Sequence, residues 1–292
     1  MQPSVISTYL MPATLVVIML GLGLSLTLAD FRRVLRFPRA IFIGLVCQML
    51  LLPLLCYGLA VAFALPPVLA VGLMLLAASP GGAAANLFSH LARGDVALNL
   101  TLTAVNSLLS LLTLPLIVNL ALTAFMGEGK VLPLQSDKIV QVFAMVLIPV
   151  SIGMLIRHRR PALALRVDRP FRIVSAVFLA LVITAAVIKE RALIGSAFQE
   201  VGLAALVFNL GSMTLGYGLP RLLRLNQRQS IAIGMEVGIH NGALAITIAS
   251  SPNLLNNSAM AIPPAIYSLI MFFTAGLFGW LLQRRAHPPD AA

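Results

Sequence analysis

Glu236, His240 and Asn241 sit near the centre of Ile231–Ala249 (IAIGMEVGIHNGALAITIA), a stretch otherwise apolar enough for the interior of a bilayer. A carboxylate at membrane depth is costly, and such residues mark ion or substrate paths. The chain has 9 acidic residues, and Glu236 alone falls inside an expected span. Two readings stay open at this point: a protonated, hydrogen-bonded structural glutamate, or a cation ligand. Hard cations such as Na+ take oxygen donors, and interrupted helices supply them as freed carbonyls beside carboxylate, amide and hydroxyl oxygens. Gln48, Asn86, Asn99 and Thr103 are the candidate side-chain donors. Asn99 and Thr103 are four residues apart and so share one helical face. Taken singly, each also suits an ordinary interhelical hydrogen bond.

A second unusual stretch is Ser79–Asn86, SPGGAAAN, inside the apolar segment Val68–Ala92. Pro80 removes a backbone donor, and Gly81 and Gly82 permit conformations that a helix does not use. A helix restarting after such a break presents free backbone N–H groups at its N-terminus, a natural seat for an anion. Ala83 and Ala84 here, with Gly242 on the other stretch, are placed to offer such groups to a carboxylate substrate. The three glycines of the other stretch, Gly234, Gly238 and Gly242, are expected to weaken the helix around Glu236.

These residues need elements to hold them. The 292 residues are 60% hydrophobic and 10% charged, where soluble domains carry roughly 25% charged residues. Repeated apolar runs of about 20 residues place the chain in a membrane as an all-α polytopic bundle. The predicted spans are Tyr9–Ala29, Ala40–Ala64, Val68–Ala92, Val96–Met126, Lys138–Ile156, Phe171–Ile188, Val201–Leu219, Ile231–Ala249 and Ala259–Leu282, about nine in all. The fourth is long enough to tilt, or to bend at Pro115. The N-terminus has no basic flank or small-residue cleavage site and reads as a first span rather than a removed leader. Cys47 and Cys56 lie nine residues apart on one apolar run, too far along a helix for an easy bridge, and read as packing residues.

The net charge of +11 sits in short loops and reads as a topology signal, not as a nucleic-acid surface. With the N-terminus outside, 16 of the 20 Lys and Arg residues fall on the cytoplasmic side. That asymmetry follows the positive-inside rule and supports an odd number of spans. A faint repeat adds to it. Leu69-Ala70-Val71-Gly72 resembles Ile231-Ala232-Ile233-Gly234, and Pro80-Gly81-Gly82 falls opposite His240-Asn241-Gly242. The two segments cross in opposite directions, so residues 9–126 and 171–282 are expected to be inverted repeats linked by span 138–156, all in one transporter domain. Interrupted helices at matching places of such repeats point to a transport site near the midplane.

The pieces ASPGGAAAN, LARGDVALNLTLTAVNSLLS and EVGIHNGALA together resemble the bile acid:sodium symporter family. GLGLSLTLADFRRVLRFPRA, the spacing of Gln48 and Pro53, and AIPPAIYS extend the resemblance over nearly the whole chain. It implies a core and a panel domain, two discontinuous helices crossing in the core, and two sodium ions behind the crossing. Carried over by position, one sodium set is Asn86, Asn99, Thr103 and Glu236. The other is Gln48, Glu236 and His240 with the backbone oxygens of Val237 and Ile239. Asn241 would face substrate. The chain departs from the family pattern in having Ala85 where a hydroxyl residue is common, Asn99 where serine is frequent, and His240 in place of glutamine. His240 either couples a proton or stands neutral, donating to a carbonyl.

The resulting expectation is a monomeric inner-membrane carrier of a bacterial cell, with its C-terminus cytoplasmic. It moves a small organic anion (bile acid-, pantoate-, or keto or hydroxy acid-like) with Na+ by alternating access. No cofactor is implied beyond the coupling ion. The alternative on the same fold is a proton-coupled or uncoupled organic-acid carrier. An intramembrane enzyme is disfavoured because no HExxH, GxSxG or acid–base pair is present, and a signalling receptor because no signalling domain is attached.

Overall fold

The computed structural model describes residues 32–127, 136–164, 191–251 and 254–286, with scattered positions between 16 and 29 and between 166 and 170. Among these residues the regular structure is helical, and the one extended pairing is an isolated antiparallel bridge between Gly81 and His240. The first expected span lies largely outside the described residues, and the sixth, with the loop around Lys130, lies wholly outside them.

Helix α1 spans Pro38–Ala62 and begins on a proline, whose missing N–H is no loss in a first turn. It carries a π turn at Cys47–Leu51, where the Leu52 N–H reaches back to the Cys47 carbonyl. Pro53 explains it: with no N–H to offer the Met49 carbonyl, the helix loses a rung and widens by one residue. Gln48 sits in this turn and is buried.

The third expected span is two helices, α2 (Pro67–Ala78) and α3 (Ala83–Leu91). Ten of the 12 residues of α2 are buried, which is why its sequence is apolar on every side. Helix α4, Val96–Met126, follows as one helix of 31 residues running through Pro115. At 1.5 Å per residue it is roughly 45 Å long, well beyond the bilayer's apolar core, so it must tilt. Asp95 caps it by accepting from the Leu98 N–H, and the Asp95 N–H donates to the Arg228 carbonyl. Leu108, Leu112, Leu116 and Leu120 form an exposed apolar row on its outer side. Asn99, Thr103, Asn106 and Ser110 are buried on its inner side. Apolar outside and polar inside suits a helix solvated by lipid.

Helix α5 is Ser136–Arg159 and α6 is Arg191–Leu222. The segment from Arg191 to Glu200, expected as a loop, is helical. Its Ala, Leu, Gln and Glu residues form helix readily, so the helix outruns its apolar part. The eighth expected span is again two helices, α7 (Gln227–Gly238) and α8 (Gly242–Ser250). Gly234 and Gly238 do not interrupt α7. A Cβ on Gly234 would lie 3.2 Å from that of Tyr217, so the residue serves close approach of α6, and the break comes at Ile239–Asn241. After a 3-10 turn at Ser258–Ala261, α9 runs Ile262–Ala286 with Pro263 and Pro264 in its first turn.

One continuous apolar core joins α1, α2, α4 and α6 through α9. Cys47 and Cys56 are free and buried within it. Among the described residues, four helices are long and apolar enough to cross a membrane: Pro38–Ala62, Val96–Met126, Phe198–Leu222 and Ser258–Leu282. The chain is an all-α polytopic membrane protein.

Candidate functional site

The two interrupted helices meet at their breaks. Gly81 pairs with His240, and the Asn241 N–H donates to the Pro80 carbonyl at 2.9 Å. In an unbroken helix that N–H would go to Val237. Instead, the carbonyls of Val237, Gly238 and Ile239 leave the ladder. Gly238 finds two replacement donors, Asn209 Nδ2 at 3.0 Å and the Tyr267 hydroxyl at 2.9 Å. The Thr274 hydroxyl in turn bonds Asn209 Oδ1. Break two is therefore anchored from α6 and α9 as well as from break one.

Glu236 lies one turn before this break and is 1% exposed. The Thr103 hydroxyl donates to its Oε2 at 2.6 Å, and Asn106 Nδ2 to its Oε1 at 3.1 Å. The backbone at Gly81 also lies against the carboxylate. The approach is close: a Cβ on Gly81 would fall 2.5 Å from the carboxylate carbon. Glycine is required there because backbone and carboxylate share the space, as well as for the turn.

Asn86 Nδ2 reaches the Thr103 hydroxyl at 3.4 Å, making a relay Asn86–Thr103–Glu236. Asn99 lies one turn before Thr103, with its Nδ2 on the Ala232 carbonyl at 2.7 Å. The structure thus gathers Asn86, Asn99, Thr103 and Glu236 around α4 and α7. Gln48 and His240 converge elsewhere, on the carbonyl of Ser79. Gln48 Nε2 donates to it at 3.0 Å, and His240 Nδ1 stands 3.3 Å away. A carbonyl can only accept, so Nδ1 carries the proton, and a neutral ring keeps a lone pair on Nε2. The ring stacks on Phe208 at 6.0 Å and tilts against Tyr267 at 5.3 Å.

The donor set has a pattern. In Gln48, Asn86, Asn99 and Asn106 the side-chain nitrogen is occupied by the protein. The oxygen of each is buried without a protein partner. Leaving one such oxygen bare costs about 1–3 kcal/mol, so four together are a large unmet demand for positive charge. Amide oxygens, one hydroxyl and one carboxylate suit a hard monovalent ion. Among the described residues no three His, Cys, Asp or Glu side chains gather as they would for a transition metal.

The residues expected to receive an anion are placed unequally. Gly82, the cap residue of α3, offers no side-chain hydrogen bond, so the α3 N-terminus at Ala83 and Ala84 has no side-chain cap. At α8 the Asn241 Oδ1 accepts from the Leu244 N–H at 3.0 Å, and the Gly242 N–H donates to the His240 carbonyl at 3.0 Å.

Asn106 escaped the sequence reading. Its signal was its position: Asn99, Thr103 and Asn106 follow the i, i+4, i+7 spacing of one helical face. The anchoring group Asn209, Tyr267 and Thr274 had no comparable signal, because its members come from two helices remote in the chain.

Two interrupted helices meeting inside an apolar bundle, with a buried carboxylate and bare amide oxygens at the meeting point, define a secondary transporter. Residues 12–197 match the Sodium Bile acid symporter family, and the chain belongs to that family, one of transporters rather than enzymes. It is 29% identical over 255 residues to the uncharacterized sodium-dependent transporter YocS of Bacillus subtilis, covering 87% of this chain and 76% of that one. It is 27% identical over 295 residues to the ileal sodium/bile acid cotransporter of Oryctolagus cuniculus, covering 99% and 84%. Identity to the probable sodium/metabolite cotransporter BASS1 of Arabidopsis thaliana is 27% over 272 residues, covering 93% and 66%.

Proposed function

We propose that the protein carries a small organic anion across the membrane together with Na+, by alternating access. The observation that carries this reading is Glu236, a buried carboxylate held by Thr103 and Asn106 against Gly81 among amide oxygens that lack partners. One sodium ion takes Asn86, Asn99, Thr103 and Glu236. A second takes Gln48, Glu236 and His240, with the carbonyls of Val237 and Ile239. Relatives named for sodium-dependent transport support the coupling ion.

The anion's carboxylate seats at the N-terminus of α3, on the N–H groups of Ala83 and Ala84, with Asn241 beside it. Na+ at Glu236 and the anion at α3 flank the same pair of breaks, so each favours the arrangement that the other needs. Residues 9–126 and 171–282 act as inverted halves that rock as core against panel. The chain works as a monomer in a bacterial inner membrane, N-terminus outside, in keeping with its loop charges.

Glu236→Ala tests the reading. In sealed vesicles holding equal amounts of parent and variant, sodium-driven uptake of organic acids should fall to background. Retained uptake would sink the assignment.

A further inference from the structure

A small cavity of about 10 Å³ lies beyond Glu236, lined by Gln48, Met49, Ala78, Pro80, Asn106, Ser110, Thr113 and Ile117. That is about the room one water-sized body needs. Three of its lining residues continue the inner face of α4: Asn99, Thr103, Asn106, Ser110 and Thr113 are spaced by four, three, four and three residues. The polar ladder of α4 therefore extends two turns past the carboxylate.

The polarity of this chamber has one sign. Gln48 Nε2 is held by the Ser79 carbonyl, and Asn106 Nδ2 by Glu236. Their oxygens are buried and unpartnered. Ser110 donates its proton to the Ser107 carbonyl at 2.9 Å, and Thr113 to the Leu109 carbonyl at 3.3 Å. Both hydroxyls thus keep only lone pairs to offer. Four neutral acceptors with their donors committed elsewhere suit a small cation and disfavour an anion. Asn106 joins the chamber to the carboxylate, its nitrogen on Glu236 and its oxygen free.

We propose that this chamber is a further binding position for one monovalent cation, liganded by Gln48, Asn106, Ser110 and Thr113. It rests on the sodium-coupled reading above; it shares the Gln48 oxygen with the second ligand set named there and differs from both sets in Asn106, Ser110 and Thr113. A cation in it polarises Asn106 and tightens that residue's hydrogen bond to Glu236.

Equilibrium binding of radioactive sodium to the purified full chain tests this. Neither Ser110 nor Thr113 touches Glu236. The pair Ser110→Ala with Thr113→Val is expected to bind one sodium fewer per chain than the parent, while Thr113→Ser binds as the parent does. Equal stoichiometry in the parent and the paired variant means a chamber holding water only, and overturns the proposal while leaving sodium at Glu236 intact. A parent that binds no sodium overturns both readings. Should the pair fail to fold, Ser110→Ala and Thr113→Val singly are each expected to weaken one class of sodium about tenfold, and unchanged isotherms overturn the proposal equally.

Discussion

Residues 67–91 and 227–250 each form a helix of 12 residues, a short extended break and a helix of 9 residues, but different chemistry makes the two breaks. Break one is covalent in origin: Pro80 withdraws a donor and Gly81–Gly82 take up the turn. Break two has no proline. It is held open from outside, by the Pro80 carbonyl, Asn209 and Tyr267. The ends differ too. Asn241 caps α8, whereas Gly82 leaves α3 without a side-chain cap. Break one therefore leaves its helix start as backbone alone, and break two adds side chains. On the proposed reading the two half-helix pairs divide the work, one seating an anion and the other carrying the carboxylate for the cation.

The largest expected effect comes from removing the room that break one gives to break two. In Gly81→Ala the added methyl would meet the Glu236 carboxylate at 2.5 Å, and the backbone cannot retreat because it pairs with His240. Sodium-driven uptake should fall at least a hundredfold with the protein still in the membrane; near-parental uptake would show that the two breaks separate freely. A smaller effect should follow from making break one resemble break two. Gly82 is extended (φ -118, ψ -179), and a Cβ there would have no neighbour nearer than 3.9 Å, so Gly82→Ser can cap α3 without strain. Its hydroxyl would occupy an N–H that the proposed anion would take, and the apparent affinity for organic acids should weaken about tenfold, or about 1.4 kcal/mol. Unchanged affinity would move the anion elsewhere. The smallest effect belongs to Asn241→Ala. Loss of the α8 cap should cost about 1 kcal/mol, read as a lower midpoint of thermal unfolding without ligand. A midpoint equal to the parent's would mean that Asn241 does not hold α8.

Break one was legible in the sequence because proline and glycine act on their own backbone, whatever surrounds them. Break two was legible as a polar cluster and as the faint match of His240-Asn241-Gly242 to Pro80-Gly81-Gly82, but Gly234, which reads as a weak point, is not one. A glycine within a helix has two uses, flexibility and close approach, and only the partner helix distinguishes them. Tyr217 makes Gly234 the second kind. The extension of α6 back to Arg191 was hidden because hydropathy sees where a helix is apolar, not where it starts.

What the chain determined by itself was the membrane, through the length and spacing of its apolar runs, and the identity of the costly residues, through the rarity of a carboxylate among them. Those properties are local and survive in any fold. Which oxygens surround Glu236 is another matter. Thr103 and Asn106 lie 133 and 130 residues away in sequence, and Gln48 meets His240 only through the Ser79 carbonyl. Hydrogen bonds depend on ångström distances between groups that no local pattern relates, so the packing of α4 against α7, and of one break against the other, decided the site.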